Sequence, residues 1–329
     1  MRLRVGLRNA ARVAASMLEL ALAATAALAL VVTSLAWVRP ASALPLRTPG
    51  AWSSGGAAAA QAAAALASGE LGQAVQPRLA GARHLSGHER RGYVAFTFDD
   101  GPHAGTTPRV LAALQAHEVP AAFFVCGYQI DGVSSTKRAN ARVLDDVIAA
   151  GFLVGNHTYH HTHLGSASLP FAWNALVRNE RLIAPHLGRT TRVFRAPYGQ
   201  LSRVAERLLG DLGYTIVRWS IDPGDYRSHS PAELRDRVLR DIIAAGGGVV
   251  LLHDTKPWTA KALPMILAGL ERENCRRLAR GVPPILPVSL DYFATDGSGA
   301  PLPVGPEVEL QTERTRAALA RRCVATRPD

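Results

Sequence analysis

The sequence predicts an α/β fold built on a parallel sheet, and three observations predict it. Short apolar runs recur along the central two thirds of the 329 residues, with helix-like segments between several of them. The runs at 93–98 and 248–253 are apolar at nearly every position, as strands covered on both faces are. The first of them ends on Asp99-Asp100 and then Gly101-Pro102, two adjacent carboxylates followed by a dipeptide that stops a strand.

Taken in order, the candidate strands are 93–98, 120–125, 152–155, 192–195, 214–219, 248–253 and 285–288. Between them Thr107–His117 reads as a helix with Val110, Leu111 and Leu114 on one face. Further helices are expected over Asn140–Ala150, Ala172–His186, Leu201–Leu212 and Pro231–Ala245. The stretch from Tyr128 to Val143, with Ser134-Ser135-Thr136-Lys137-Arg138, is long for a connector and reads as a surface insertion or a loop over a groove. Periodicity alone does not separate a βα barrel from an open doubly wound sheet.

The domain expected to carry these elements is 91–295. Ahead of it, Arg2, Arg4, Arg8 and Arg12 precede an apolar stretch from about Leu20 to Val38, followed by Ala41-Ser42-Ala43. Residues 1–43 therefore read as a cleaved signal peptide or an uncleaved membrane anchor, and the remainder as exported to the periplasm or cell surface. Residues 44–90, rich in Ala, Gly, Ser and Gln, read as a linker. The tail 296–329 opens with Gly and Pro and then reads helical from Glu307 to Arg322. Three cysteines are too few for a disulfide scaffold, although Cys275 and Cys323 could staple the tail to the domain. The net charge of +11 comes almost wholly from scattered arginines with no nucleic-acid motif, which argues for an anionic envelope surface rather than DNA as partner.

The chemistry lies at the ends of the runs. Two acids side by side resist joint ionisation, so a cation is expected to hold them. Downstream, Gly155-Asn156-His157-Thr158-Tyr159-His160-His161-Thr162-His163 places four of the chain's 11 histidines in seven residues. His157 and His161, at i and i+4, share one face of a turn and with one carboxylate make a three-ligand site with an open position. His160 and His163 stand close enough to serve in the same way. Arg195 and His253 also sit at strand ends, and in a βα barrel those ends converge on one face.

Five segments in order carry a family resemblance. They are Thr97-Phe98-Asp99-Asp100-Gly101-Pro102, His157-Thr158-Tyr159-His160-His161, Arg195-Ala196-Pro197-Tyr198-Gly199, Asp222-Pro223-Gly224-Asp225-Tyr226 and Leu251-Leu252-His253-Asp254. Together the chain resembles the NodB-homology polysaccharide deacetylases, a carbohydrate esterase family, over roughly residues 91–293. The resemblance implies a distorted, incomplete βα barrel. It implies Asp100, His157 and His161 as metal ligands, Asp99 as the base that activates water at the metal, and Arg195 as the cation paired with that base. It further implies His253 as the acid that protonates the leaving amine, Asp225 as the carboxylate that tunes it, the backbone N–H of Tyr198 as an oxyanion donor, and Leu251 as the wall for the acetyl methyl. Tyr226 stands where the family often has Trp, which reshapes the substrate groove.

The function so implied is metal-dependent removal of N-acetyl groups from an extracytoplasmic amino-sugar polymer such as peptidoglycan, chitin or poly-N-acetylglucosamine. The expected cofactor is Zn2+, with Co2+, Ni2+ or Mn2+ compatible with mixed N/O ligation. An O-acetyl polysaccharide esterase uses the same chemistry, and a non-catalytic envelope glycan-binding protein could keep the same fold.

Overall fold

The computed structural model describes residues 84–296 and 299–325. The expected signal or anchor at 1–43 and the linker up to residue 83 lie outside them. Within the described residues eight parallel strands form one sheet: β1 (His84–Leu85), β2 (Tyr93–Asp99), β3 (Ala121–Val125), β4 (Leu153–Asn156), β5 (Val193–Phe194), β6 (Thr215–Val217), β7 (Gly248–His253) and β8 (Leu286–Pro287). Their order is β1-β6-β5-β4-β3-β2-β7, with β8 on β2. Among the described residues seven α-helices accompany them: α1 (Thr107–Ala116), α2 (Ser135–Ala149), α3 (Leu169–Leu187), α4 (Arg203–Asp211), α5 (Pro231–Ala245), α6 (Pro257–Ala279) and α7 (Pro306–Ala325). Between β6 and β7 no continuous ladder closes the sheet among the described residues. The gap is crossed by the isolated parallel bridge Ile221–Val250, so the barrel is incomplete, as expected.

Strand alternation sorts the side chains into two cores. Val94, Phe96 and Phe98 of β2 and Val250 and Leu252 of β7 pack outward against α1, α2, α5 and α6. Ala95, Phe124, Val193, Val217 and Val249 fill the other face. On that inward face Thr97 and Asp99 continue the row from Ala95, and Leu251 and His253 continue the row from Val249. The pattern runs from apolar at the strand beginnings to polar at their carboxyl ends.

The beginnings are plugged by the C-terminal segment. Val288, Leu290, Tyr292 and Phe293, with Val308 and Leu319 of α7, join the inward cluster. A disulfide between Cys275 of α6 and Cys323 of α7 ties the helices together, with a Cα–Cα distance of 5.2 Å. Arg322 adds an ion pair to Glu271 at 3.1 Å. The tail is thus docked on the domain.

Three sequence expectations change. The domain takes in residues from 84, ahead of the expected boundary at 91, because His84 and Leu85 pair with Ile216 and Val217. Helix α6, unassigned above, holds Pro257 in its first turn and Pro264 inside, residues that disguise a helical pattern. The Tyr128–Val143 stretch is not a loop over a groove. Ser134 caps α2 by accepting the Lys137 N–H at 3.2 Å, so the helix starts five residues earlier than expected. Its buried Asn140 donates to the Gln129 carbonyl at 3.0 Å and accepts the Ala104 N–H at 2.8 Å, bracing two loops. Among the described residues no helix is long and apolar enough to cross a membrane.

Candidate active site

The parallel register brings the chemistry to one end of the sheet. Asp99 closes β2 and stands directly across from His253, which closes β7; two residues back, Thr97 pairs with Leu251. His157 follows the end of β4 and Arg195 follows the end of β5. Residues 98 positions apart in sequence thereby share one cluster.

Arg195 is fully buried at the centre of that cluster. Its guanidinium donates to Asp99 Oδ1 at 2.8 Å and to Thr97 Oγ1 at 2.7 Å. It also donates to the carbonyls of Val217 and Arg218, each at 3.2 Å. Its carbon lies 4.2 Å from the Phe124 ring centroid. A buried guanidinium with every face occupied is a fixed charge. Burial pushes the Asp99 carboxyl above its ordinary value, and Arg195 opposes that rise without cancelling it. The result suits a base better than a permanently ionised acid does.

Asp100, His157 and His161 converge, their candidate ligand atoms all lying within 4.8 Å of one another. His157 Nδ1 lies 2.8 Å from the Arg195 carbonyl, which can only accept, so Nδ1 carries the proton. Its Nε2 lone pair then faces Asp99 and Asp100, at 3.6 Å from each. Burial pushes His157 down to about 3, so the ring is neutral at any working pH. His161 Nε2 lies 3.4 Å from Asp100 Oδ1. That buried oxygen has no hydrogen-bond partner. Acceptors aimed at one another with no proton between them repel unless a cation sits among them, so the donor set fits a metal ion. The spacing ambiguity is resolved in the same step. His160 packs edge-on against Tyr159, with ring centroids 4.3 Å apart, and His163 pairs with Gln200 at 2.7 Å; neither joins the Asp100 group.

On the other side, His253 Nδ1 is 2.7 Å from Asp225 Oδ1. Asp225 is fully buried and accepts from the His253 N–H and the Thr259 hydroxyl, both at 2.7 Å. The Trp258 indole donates to the Asp225 carbonyl at 2.6 Å. Burial alone would lower His253, but the hydrogen bond and charge of Asp225, with Asp99 and Asp100 nearby, outweigh it and push the imidazole up to about 9. His253 Nε2 reaches to 4.0 Å from Asp100 Oδ2. Burial thus disfavours the charged form of His157, whereas the Asp225 partner favours the charged form of His253, so the two histidines are driven in opposite directions.

The remaining expected residues surround this pair. Tyr198 has left-handed backbone, φ 60°, and its ring packs edge-on to His161 at 4.6 Å. Leu251 is buried on the face of β7 that carries His253. Tyr226 is exposed, with its ring 5.7 Å from that of His253.

Other contributors were not singled out from the sequence. Thr97 was within reach of pattern, since it stands two residues before Asp99 and shares its face. Thr259 and Trp258 were not, because they arrive from another helix. Asp254 is buried, accepts from the Thr107 hydroxyl, leaves its second oxygen without a partner, and is pushed up to about 7 by burial. Gly101 sits so close to it that any Cβ would collide with its carboxylate. Glu180 on α3 accepts from Asn156 at 3.1 Å, Tyr214 at 2.7 Å and the Thr191 N–H at 2.7 Å. Asn156 in turn accepts the Thr158 N–H at 2.9 Å, bracing the turn that holds His157.

A family model described as polysaccharide deacetylase matches residues 86–217. A chitooligosaccharide deacetylase of Bradyrhizobium sp. is 34% identical over 203 residues, covering 55% of this chain and 85% of that protein. The chain belongs to the polysaccharide deacetylase family. A peptidoglycan-N-acetylglucosamine deacetylase of Listeria monocytogenes is 31% identical over 182 residues, 55% of this chain, and the match spans only 36% of that longer protein. Among solved structures, the chitin deacetylase of the fungal pathogen Colletotrichum lindemuthianum superposes with a TM-score of 0.52 at 28% identity, over 57% of this chain and 85% of that one. The sheet continues past the segment that the family model matches to β7, which carries His253.

Proposed function

We propose that this chain is a metal-dependent hydrolase that removes N-acetyl groups from an amino-sugar polymer outside the cytoplasm. One observation carries the reading: Asp100, His157 and His161 converge between a buried carboxylate paired with Arg195 and a histidine hydrogen-bonded to the buried Asp225. Asp100, His157 and His161 would hold the ion, and two imidazoles with one carboxylate suit Zn2+ best. When bound, the ion supplies a Lewis acid that polarises the amide carbonyl and acidifies water.

The protein side chains do the rest. Asp99, raised by burial, takes a proton from the attacking water. Arg195 holds the Asp99 carboxylate in place and offsets its charge as the proton moves. The Tyr198 N–H is the donor offered to the carbonyl oxygen as negative charge develops on it. His253 gives its proton to the amine nitrogen as the C–N bond breaks, and Asp225 both orients the ring and stabilises the imidazolium until then. Leu251 receives the acetyl methyl, and Tyr226 lines the approach beside the acid. The basic and apolar N-terminus with its Ala-x-Ala segment supports export, which would bring the site to envelope glycans.

The test is acetate release from chitin oligomers and from peptidoglycan by the purified chain. Acetate that disappears with chelator and returns with zinc is the expected result. A folded, metal-bound protein that releases none from either polymer would overturn the reading.

A further inference from the structure

Asp254, which follows the acid His253 at the end of β7, has no part in the proposed reaction, yet it is fully enclosed by protein. One of its oxygens accepts the Thr107 hydroxyl from the first turn of α1. The other has no hydrogen-bond partner. An unpaired carboxylate oxygen in a buried place is costly, so its retention points to a task. Both oxygens press on the Cα of Gly101, where a Cβ would collide with either of them. Gly101 does not have left-handed backbone, so its missing side chain answers to this close approach alone.

Gly101 is the residue after Asp100, and Asp100 does have left-handed backbone, φ 76°. A residue with a Cβ stays in that region when its surroundings hold it there. The strand that delivers Asp100, β2, lies between β3 and β7. From the β3 side, Gln129 donates to the Asp100 carbonyl and the Cys126 N–H donates to the Gly101 carbonyl, each at 3.0 Å. From the β7 side the hold is the Asp254 carboxylate. Thr107 ties that carboxylate to the same turn, because its oxygen also accepts the His103 N–H at 2.9 Å. Held so, Asp100 Oδ1 stands 3.6 Å from His157 Nε2 and 3.4 Å from His161 Nε2.

We infer that Asp254 is a positioning residue for the metal site. Its carboxylate, fixed by Thr107, abuts Gly101 and keeps Asp100 in the backbone that aims its oxygen at the two histidines. The inference rests on the reading of Asp100, His157 and His161 as metal ligands. Consecutive residues of one strand end thereby serve two halves of the site, His253 as the acid and Asp254 as the brace of the metal turn. The brace acts through shape, so what matters is the volume facing Gly101 rather than the charge.

The experiment measures zinc affinity of the full chain by competition with a chromophoric chelator. Asp254→Asn keeps the shape and should stay within about threefold of the wild type. Asp254→Ala, which empties the space beside Gly101, should bind zinc about tenfold more weakly or worse, the scale of a lost partner behind a ligand. Gly101→Ala should lose as much, because its methyl displaces the turn. In Gly101→Ala/Asp254→Ala the methyl fills the emptied space. The double variant should therefore bind about tenfold more tightly than the product of the two single losses predicts. A merely structural residue would not show this mutual rescue in metal affinity. If Asp254→Ala does not fold, Thr107→Val, which releases the carboxylate from its hydrogen bond, should still weaken zinc binding about threefold, and unchanged affinity there overturns the inference. It is also overturned if Asp254→Asn loses as much zinc affinity as Asp254→Ala, if the single losses multiply in the double variant, or if Asp254→Ala binds zinc like the wild type. Those results leave the metal reading standing, whereas a wild type that takes up no zinc overturns both.

Discussion

Replacing Asp225 by Asn should change the pH range of activity rather than the metal. His253 is held at about 9 against an ordinary 6.5, a difference worth about 3 kcal/mol, and Asp225 supplies the leading upward contribution through a 2.7 Å hydrogen bond and its charge. The acid must be protonated to act, so activity is present below the folded pKa and is lost as pH rises through it. In the wild type the alkaline limb of kcat/KM therefore lies near pH 9. Asn removes the charge. Its amide oxygen is drawn to the two donors that Asp225 Oδ2 accepts, the His253 N–H and the Thr259 hydroxyl, which turns the NH2 toward His253 Nδ1. That contact disfavours the imidazolium, and burial lowers it further. At pH 8 a group of pKa about 9 is roughly nine-tenths protonated and one of 6.5 only about 3%, so kcat/KM should fall about 30-fold there. The assay is acetate release against pH on the zinc-loaded chain, with bound zinc counted in both proteins. An alkaline limb that stays within about half a pH unit of the wild type would refute the assignment of His253 as an acid tuned by Asp225.

Other expectations follow from the same geometry. Asp99→Asn should bind metal almost normally yet lose turnover by about 10²-fold or more, whereas His157→Ala should lose metal affinity and with it any gain in Tm on adding zinc; equal metal loss in both would merge the two roles. Glu180→Ala leaves Asn156, Tyr214 and the Thr191 N–H short of an acceptor, so it should cost about 2–4 kcal/mol in denaturant unfolding and weaken zinc affinity about tenfold or more. An unchanged zinc affinity would make the network purely structural. Cys323→Ser opens a cross-link spanning 48 residues and should lower stability by up to about 4 kcal/mol with little change in kcat, because α7 plugs the strand beginnings while the chemistry stands at their other ends.

How much of the site was legible before the fold depended on how local each signal was. His157 and His161 lie four residues apart, and Asp99 and Asp100 are adjacent, so their partnership shows as spacing. Thr97 shows as alternation on the same strand. By contrast, Arg195 meets Thr97 across 98 positions, and Thr259 reaches Asp225 from another helix, contacts that only pairing and packing create. The Glu180 network is of the same kind, joining α3 to the turn after β4.

By itself, the sequence determined the alternation of strands and helices, the polar strand ends and the reactive residue types, because burial pattern and turn chemistry are local properties. Tertiary structure alone decided which histidines face Asp100, how the incomplete barrel is plugged by α7, and the opposite directions in which His157 and His253 are shifted. Those depend on desolvation and on neighbours brought together through space, which the linear order of residues does not contain.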